Sequence, residues 1–121
     1  MKLGIEGRHA LVFGGSRGIG RAAALCLARE GVVVTIAART LATLDRTAAD
    51  IKAQTGASVT AVVADLTLAE GRAAALAACP LPDILINNAD GPAPGDFRQW
   101  ERDDWLKTLD ALPLQIGRAH V

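Results

Sequence analysis

Seven residues, Gly14-Gly15-Ser16-Arg17-Gly18-Ile19-Gly20, constrain this chain more than any other stretch. They stand between two segments of different period. Before them, Arg8-His9-Ala10-Leu11-Val12-Phe13 is a short apolar run that reads as a buried parallel strand. After them, Ile19, Ala22, Ala23, Cys26 and Leu27 follow the i, i+3, i+4, i+7, i+8 spacing of a helix with one buried face. Arg21, Arg29 and Glu30 fall off that stripe, and Gly31 supplies a left-handed stop. A plain strand-to-helix turn does not need so many glycines, because each costs backbone entropy on folding.

The same change of period recurs along the chain. Val32 to Ala38 is rich in β-branched residues and reads as a second strand. A second helix follows, with Leu41, Leu44, Ala48 and Ile51 on one face and Asp45, Arg46, Asp50 and Lys52 toward water. Gly56 closes it. Ser58 to Ala64 reads as a third strand, and a helix from about Leu68 to Cys79 ends at Pro80 and Pro82, which cannot continue it. Ile84-Leu85-Ile86-Asn87 is a fourth strand. Gly91 to Phe97 is a loop. A last helix begins near Glu101, with Asp103 and Asp104 at the positive end of its dipole and Trp105, Leu109 and Leu112 on one face. The order β-α-β-α-β-α-β-α predicts an α/β fold: a Rossmann-type, doubly wound parallel sheet, truncated after about four strands.

In that context the glycine turn gains a chemistry. Gly14 lets the chain leave the strand sharply, Gly18 lets backbone approach a phosphate with no Cβ in the way, and Gly20 lets the helix pack closely on the strand. The free N–H groups of the first helical turn then face an anion, with the helix dipole behind them. A dinucleotide fold that prefers NAD(H) usually carries an acid at the end of the second strand, bonded to the ribose 2′-hydroxyl. Val32 to Thr40 contains none, and Arg39 holds the place, about 20 residues beyond the glycines. Arg17 adds a second cation. Two guanidinium groups suit a 2′-phosphate, so NADP(H) is favoured over NAD(H). Two solvated surface arginines are the alternative.

Bulk properties agree with a cofactor-binding domain and argue against other classes. Thirteen basic residues balance thirteen acidic ones in 121, which gives no hint of a nucleic-acid or membrane-surface protein. No apolar run would span a bilayer, the opening residues leave no room for a signal peptide, and the expected compartment is the cytoplasm. Cys26 and Cys79 are read as buried small hydrophobes rather than a disulfide, and no metal site is expected. There is no tyrosine.

Three motifs in order, Gly14-Gly15-Ser16-Arg17-Gly18-Ile19-Gly20, Asp65-Leu66 and Asn87-Asn88-Ala89, resemble the short-chain dehydrogenases/reductases, nearest to the 3-oxoacyl-acyl-carrier-protein reductase type. The resemblance runs from about Gly7 to Leu112. It implies that Ser16, Arg17 and Ile19 contact the cofactor phosphates and ribose, and that Arg39 meets the 2′-phosphate. It also implies that Asp65 bonds the adenine with Leu66 packed beside it, and that Asn88 and Ala89 line the cofactor. A helix N-cap is the alternative use of Asp65. The implied activity is reduction of a small carbonyl substrate, a 3-oxoacyl thioester or similar, by a full-length protein that forms homo-oligomers.

Four departures narrow that implication. Phe13 stands where the family has a small hydroxyl residue. Asp90 stands where it has a glycine, and a carboxylate there would crowd or repel the cofactor. Leu112 stands where it has an asparagine that supports a proton relay. The family's catalytic serine and Tyr-x-x-x-Lys pair have no counterpart. Those residues orient the carbonyl and protonate the forming alkoxide, so this chain is expected to be the cofactor-binding half of a reductase and inactive as it stands. No residue is assigned a catalytic role; His9, His120, Lys2, Lys52 and Lys107 lie on unsuitable elements. A non-catalytic NADP(H)-binding module and a degenerate interaction scaffold remain alternatives.

Residues 1–112 read as the N-terminal part of one dinucleotide-binding domain. Residues 113–121 break the helical period, and Gln115 to Val121 can be back-translated into a common sequencing adapter. The expectation is an irregular tail that is not natural coding sequence, with a natural irregular terminus as the alternative. A nucleotide record that continues past these codons as ordinary coding sequence would sink the first idea.

Overall fold

A computed structural model describes residues 2–16, 18–88 and 95–111. Its elements alternate: β1 (His9–Phe13), α1 (Gly18–Arg29), β2 (Val33–Ala38), α2 (Leu41–Thr55), β3 (Thr60–Val63), α3 (Ala69–Ala78), β4 (Ile84–Ile86), a 3-10 turn (Phe97–Gln99) and α4 (Arg102–Ala111). The four strands form one sheet in the order β3-β2-β1-β4, and every pairing is parallel. This is the doubly wound α/β arrangement expected from the alternation. The strands are one to three residues shorter than the runs read from the sequence.

Pleating divides β1 between two cores. Ala10 and Val12 join Val34 and Ile36 of β2, Ala24 and Ala28 of α1, and Leu44 and Ile51 of α2. Leu11 and Phe13 face the other way, with Ala37, Leu66, Ala75 of α3 and Cys79 at the end of that helix. Both faces of β1 are thus sealed, which is why its interior carries no polar side chain.

Two helices turn differently from their apolar spacing. In α1 the buried residues are Gly20, Ala24 and Ala28, not the stripe through Ile19, Ala22 and Cys26. Ile19 is 79% exposed and Cys26 is also exposed. The smallest residues face the sheet because the glycine turn brings this helix close to it, leaving no room for larger side chains. Cys26 is therefore not a core hydrophobe; Cys79 is. In α2 the buried set is Leu44, Thr47 and Ile51, while Leu41 is half exposed. Gly56 caps α2 in the left-handed conformation, φ 76°, as expected of a C-terminal glycine. His9, at the start of β1, is exposed rather than buried. Among the described residues no helix is long and apolar enough to cross a membrane.

Candidate functional site at the switch point of the sheet

Because all four strands run the same way, their carboxyl ends share one edge of the sheet. Register places Phe13 beside Ala37, Ala38 beside Val63, and Val12 beside Ile86. Gly14 and Arg39 follow their strand ends directly, and Asp65 and Asn88 lie one residue further on. From β1 the chain steps outward to β2 and β3, then returns to pair β4 on the opposite side of β1. The crevice between β1 and β4 is therefore the topological switch point, where open α/β sheets bind ligands.

Glycines shape that crevice. Gly14 leaves β1 at φ 68°, and its N–H donates to the Ala37 carbonyl at 2.9 Å. A methyl group on Gly14 would lie 2.7 Å from Asn88 Nδ2. One on Gly20 would strike the Gly14 carbonyl oxygen and lie 3.0 Å from the same Asn88 nitrogen. Strand end, helix start and Asn88 thus interlock at a distance only glycine allows. Gly15, to which the sequence reading gave no separate role, makes the equivalent approach to β2: a methyl there would lie 2.7 Å from Ile36 Cβ. Gly18 differs. It has φ 57°, and a methyl would meet nothing within 4 Å. Open space beside a left-handed backbone at the start of α1 is what an approaching phosphate requires, so this cradle fits the phosphates of a dinucleotide.

The turn is tied from outside. The Thr47 hydroxyl of α2 donates to the Ser16 carbonyl at 2.9 Å. Arg21 of α1 pairs with Asp50 of α2 at 2.7 Å, and both side chains are roughly two-fifths exposed. Thr47 escaped sequence reasoning, although its place between Leu44 and Ile51 on the helical stripe was a legible signal.

On the far side of β2, Asp65 accepts hydrogen bonds from the Thr67 hydroxyl at 2.6 Å and the Thr67 amide at 2.9 Å. The hydroxyl bond, then the amide bond, hold its carboxyl below the ordinary carboxylate range; partial burial opposes them and the nearby Arg39 charge assists. Asp65 is not the cap of α3. That position falls on Leu68, which makes no side-chain cap bond. Leu66 is buried, and its carbonyl accepts from Arg72 at 2.9 Å. At the end of β4, the buried Asn87 Oδ1 has no hydrogen-bond partner among the described residues.

The structure thus gathers Gly14, Ser16, Gly18, Gly20, Arg39, Asp65, Leu66 and Asn88 along one edge of the sheet. Ile19 joins them with its side chain exposed at the start of α1. Arg17 and Ala89 lie outside the described residues, as do Asp90 and Leu112.

Comparison with known proteins matches residues 8–111 to the family model described as short chain dehydrogenase. The oxidoreductase YvaG of Bacillus subtilis, itself uncharacterised, is 36% identical over 111 residues, covering 91% of this chain and 42% of that protein. The structure of L-sorbose reductase from Gluconobacter frateurii, complexed with NADPH and L-sorbose, superposes with a TM-score of 0.90 at 29% identity, covering 98% of this chain and 47% of that one. The NADPH-dependent reductase YwfH, involved in bacilysin biosynthesis, superposes with a TM-score of 0.85 at 32% identity, covering 94% of this chain and 47% of that one. The chain spans less than half the length of each of these three.

Proposed function

The chain belongs to the short-chain dehydrogenase family, and from that premise we propose that it is the NADP(H)-binding part of an oxidoreductase that acts on a small carbonyl substrate. The observation that carries this reading is the interlock of Gly14, Gly20 and Asn88 at the crevice between β1 and β4, with open space at Gly18. That cradle suits a pyrophosphate lying across the switch point. When bound, the nicotinamide supplies the hydride.

The chain's own residues bind and orient. Ser16, Gly18 and the first N–H groups of α1 hold the phosphates, with Arg17 and Ile19 completing the contact. Arg39, with no acid between Val32 and Thr40, takes the 2′-phosphate. Asp65 and Leu66 hold the adenine. The lowered Asp65 carboxyl stays an ionised acceptor, which suits an amino-group donor. Asn88 and Ala89 line the cofactor beyond β4. Carbonyl reduction in this family takes its proton from a tyrosine, and these 121 residues contain none. The chain as given therefore binds cofactor without turning substrate over. Residues 1–112 form the cofactor-binding portion of a larger domain, and reading the parent reductase's substrate as a 3-oxoacyl thioester rests on the family resemblance.

Titration with NADPH and NADH, followed by nicotinamide fluorescence, tests the proposal. NADPH should bind tighter by roughly tenfold or more, the effect of one charge-assisted contact of about 1.5–3 kcal/mol. Arg39→Ala should remove that preference. NADH binding as tightly as NADPH would sink the 2′-phosphate assignment, and binding of neither would sink the cofactor reading.

A further inference from the structure

The phosphate cradle is fixed at both of its ends. Gly14 is tied to β2 through its amide, and Gly20 is wedged under the Gly14 carbonyl. Between them the chain passes through Ser16 toward Gly18, a stretch whose glycines give the backbone many alternatives to the binding shape. Among the described residues, one side chain from outside hydrogen-bonds to that stretch. Thr47 is only 2% exposed, stands on the buried face of α2, and donates its hydroxyl to the Ser16 carbonyl from 31 residues away.

We infer that Thr47 is a positioning residue for the phosphate-binding turn: its hydroxyl clamps the Ser16 peptide so that the cradle is formed before cofactor arrives. The inference rests on the cofactor reading above. A peptide unit is planar, so holding the Ser16 carbonyl toward α2 restricts rotation of the backbone at Ser16. Thr47 touches no cofactor in this scheme. It acts through Ser16, and it lowers the ordering cost that binding must otherwise meet. Burial keeps water from competing for the bond: the hydroxyl's other acceptors are carbonyls of its own helix, and the Ser16 carbonyl loses this partner if the hydroxyl is removed.

The test compares Thr47→Val, which keeps the branched shape and removes the donor, with Thr47→Ser, which keeps the donor. NADPH affinity is measured by fluorescence on the full 121-residue chain, well below the melting temperature of each variant, with folding checked by circular dichroism. Thr47→Val should weaken NADPH binding by roughly 3- to 10-fold, while Thr47→Ser stays within about twofold of the unaltered protein. If Thr47→Val does not fold, Thr47→Ala is read in its place. Unaltered NADPH affinity without the donor, or equal weakening in Thr47→Ser, overturns the clamp and leaves the cofactor reading standing. Failure of the unaltered protein to bind either nicotinamide dinucleotide overturns that reading and the clamp with it.

Discussion

Cys26 and Cys79 carry the same thiol and should behave as different reagents. Cys26 lies on the outward side of α1, and Cys79 caps α3 inside the second core. Burial pushes the Cys79 thiol up; a hydrogen bond with Thr35 works against this, and the nearby Asp83 charge adds to it. A disulfide-exchange reagent at mild alkaline pH should therefore label one thiol in the native protein and both in denaturant. Rapid native labelling of Cys79 would contradict the packing. The linkage sign follows from the same shift. With the folded value raised, the unfolded chain loses this proton first, so Cys79 contributes stability below about pH 8.5 that drains away as pH climbs through the raised folded value. The melting temperature should fall over that range, and Cys79→Ala should flatten the fall. At the turn, Gly20→Ala would drive a methyl into the Gly14 carbonyl. Chemical denaturation should show a loss of about 1–3 kcal/mol, the usual cost of overpacking.

Among the elements, α3 reverses a rule of helix propensity. Gly71 lies within that helix, where alanine would ordinarily gain up to about 1 kcal/mol. A methyl there would meet the Asp65 carbonyl oxygen, and Asp65 also heads the loop proposed to hold the adenine. Backbone against backbone cannot yield cheaply, so the clash outweighs the propensity. Gly71→Ala should destabilise the protein by about 1–3 kcal/mol in a urea titration; a gain in stability would show that α3 can move outward freely. The ion pair between α1 and α2 is a weaker bond than its length suggests. Arg21 and Asp50 are each about two-fifths exposed, so water screens them. Asp50→Asn should cost no more than about 1 kcal/mol by the same measurement, and less as salt is added.

For the molecule as a whole, β3 and β4 are the edge strands of the sheet among the described residues. Among the described residues β4 pairs only with β1, and its outer edge offers unpaired N–H and C=O groups. On α4, Trp105, Leu106 and Leu109 are each close to half exposed. Such an edge and such a face invite association. Sedimentation of the 121-residue chain should show mass rising with concentration, and its thermal transition should be broad. A monomer with a sharp cooperative melt would count against this.

Alternation of period carried most of the fold in the sequence itself. Four apolar runs separated by helical stretches require strands that pair in parallel, since each return must cross a helix. Gly14, Gly18 and Gly20 could likewise be assigned from spacing alone, because a strand leading into a helix through such a turn has few backbone solutions. Three dimensions decided the rest. Which face of α1 is buried was invisible in its period: an alanine-rich helix offers two candidate stripes, and the close approach at Gly20 selected the smaller side chains. The link between Thr47 and Ser16 and the approach of Gly15 to Ile36 join residues distant in sequence. Local spacing carries no information about such contacts. They exist because α1 and α2 pack on one face of the sheet and α3 on the other.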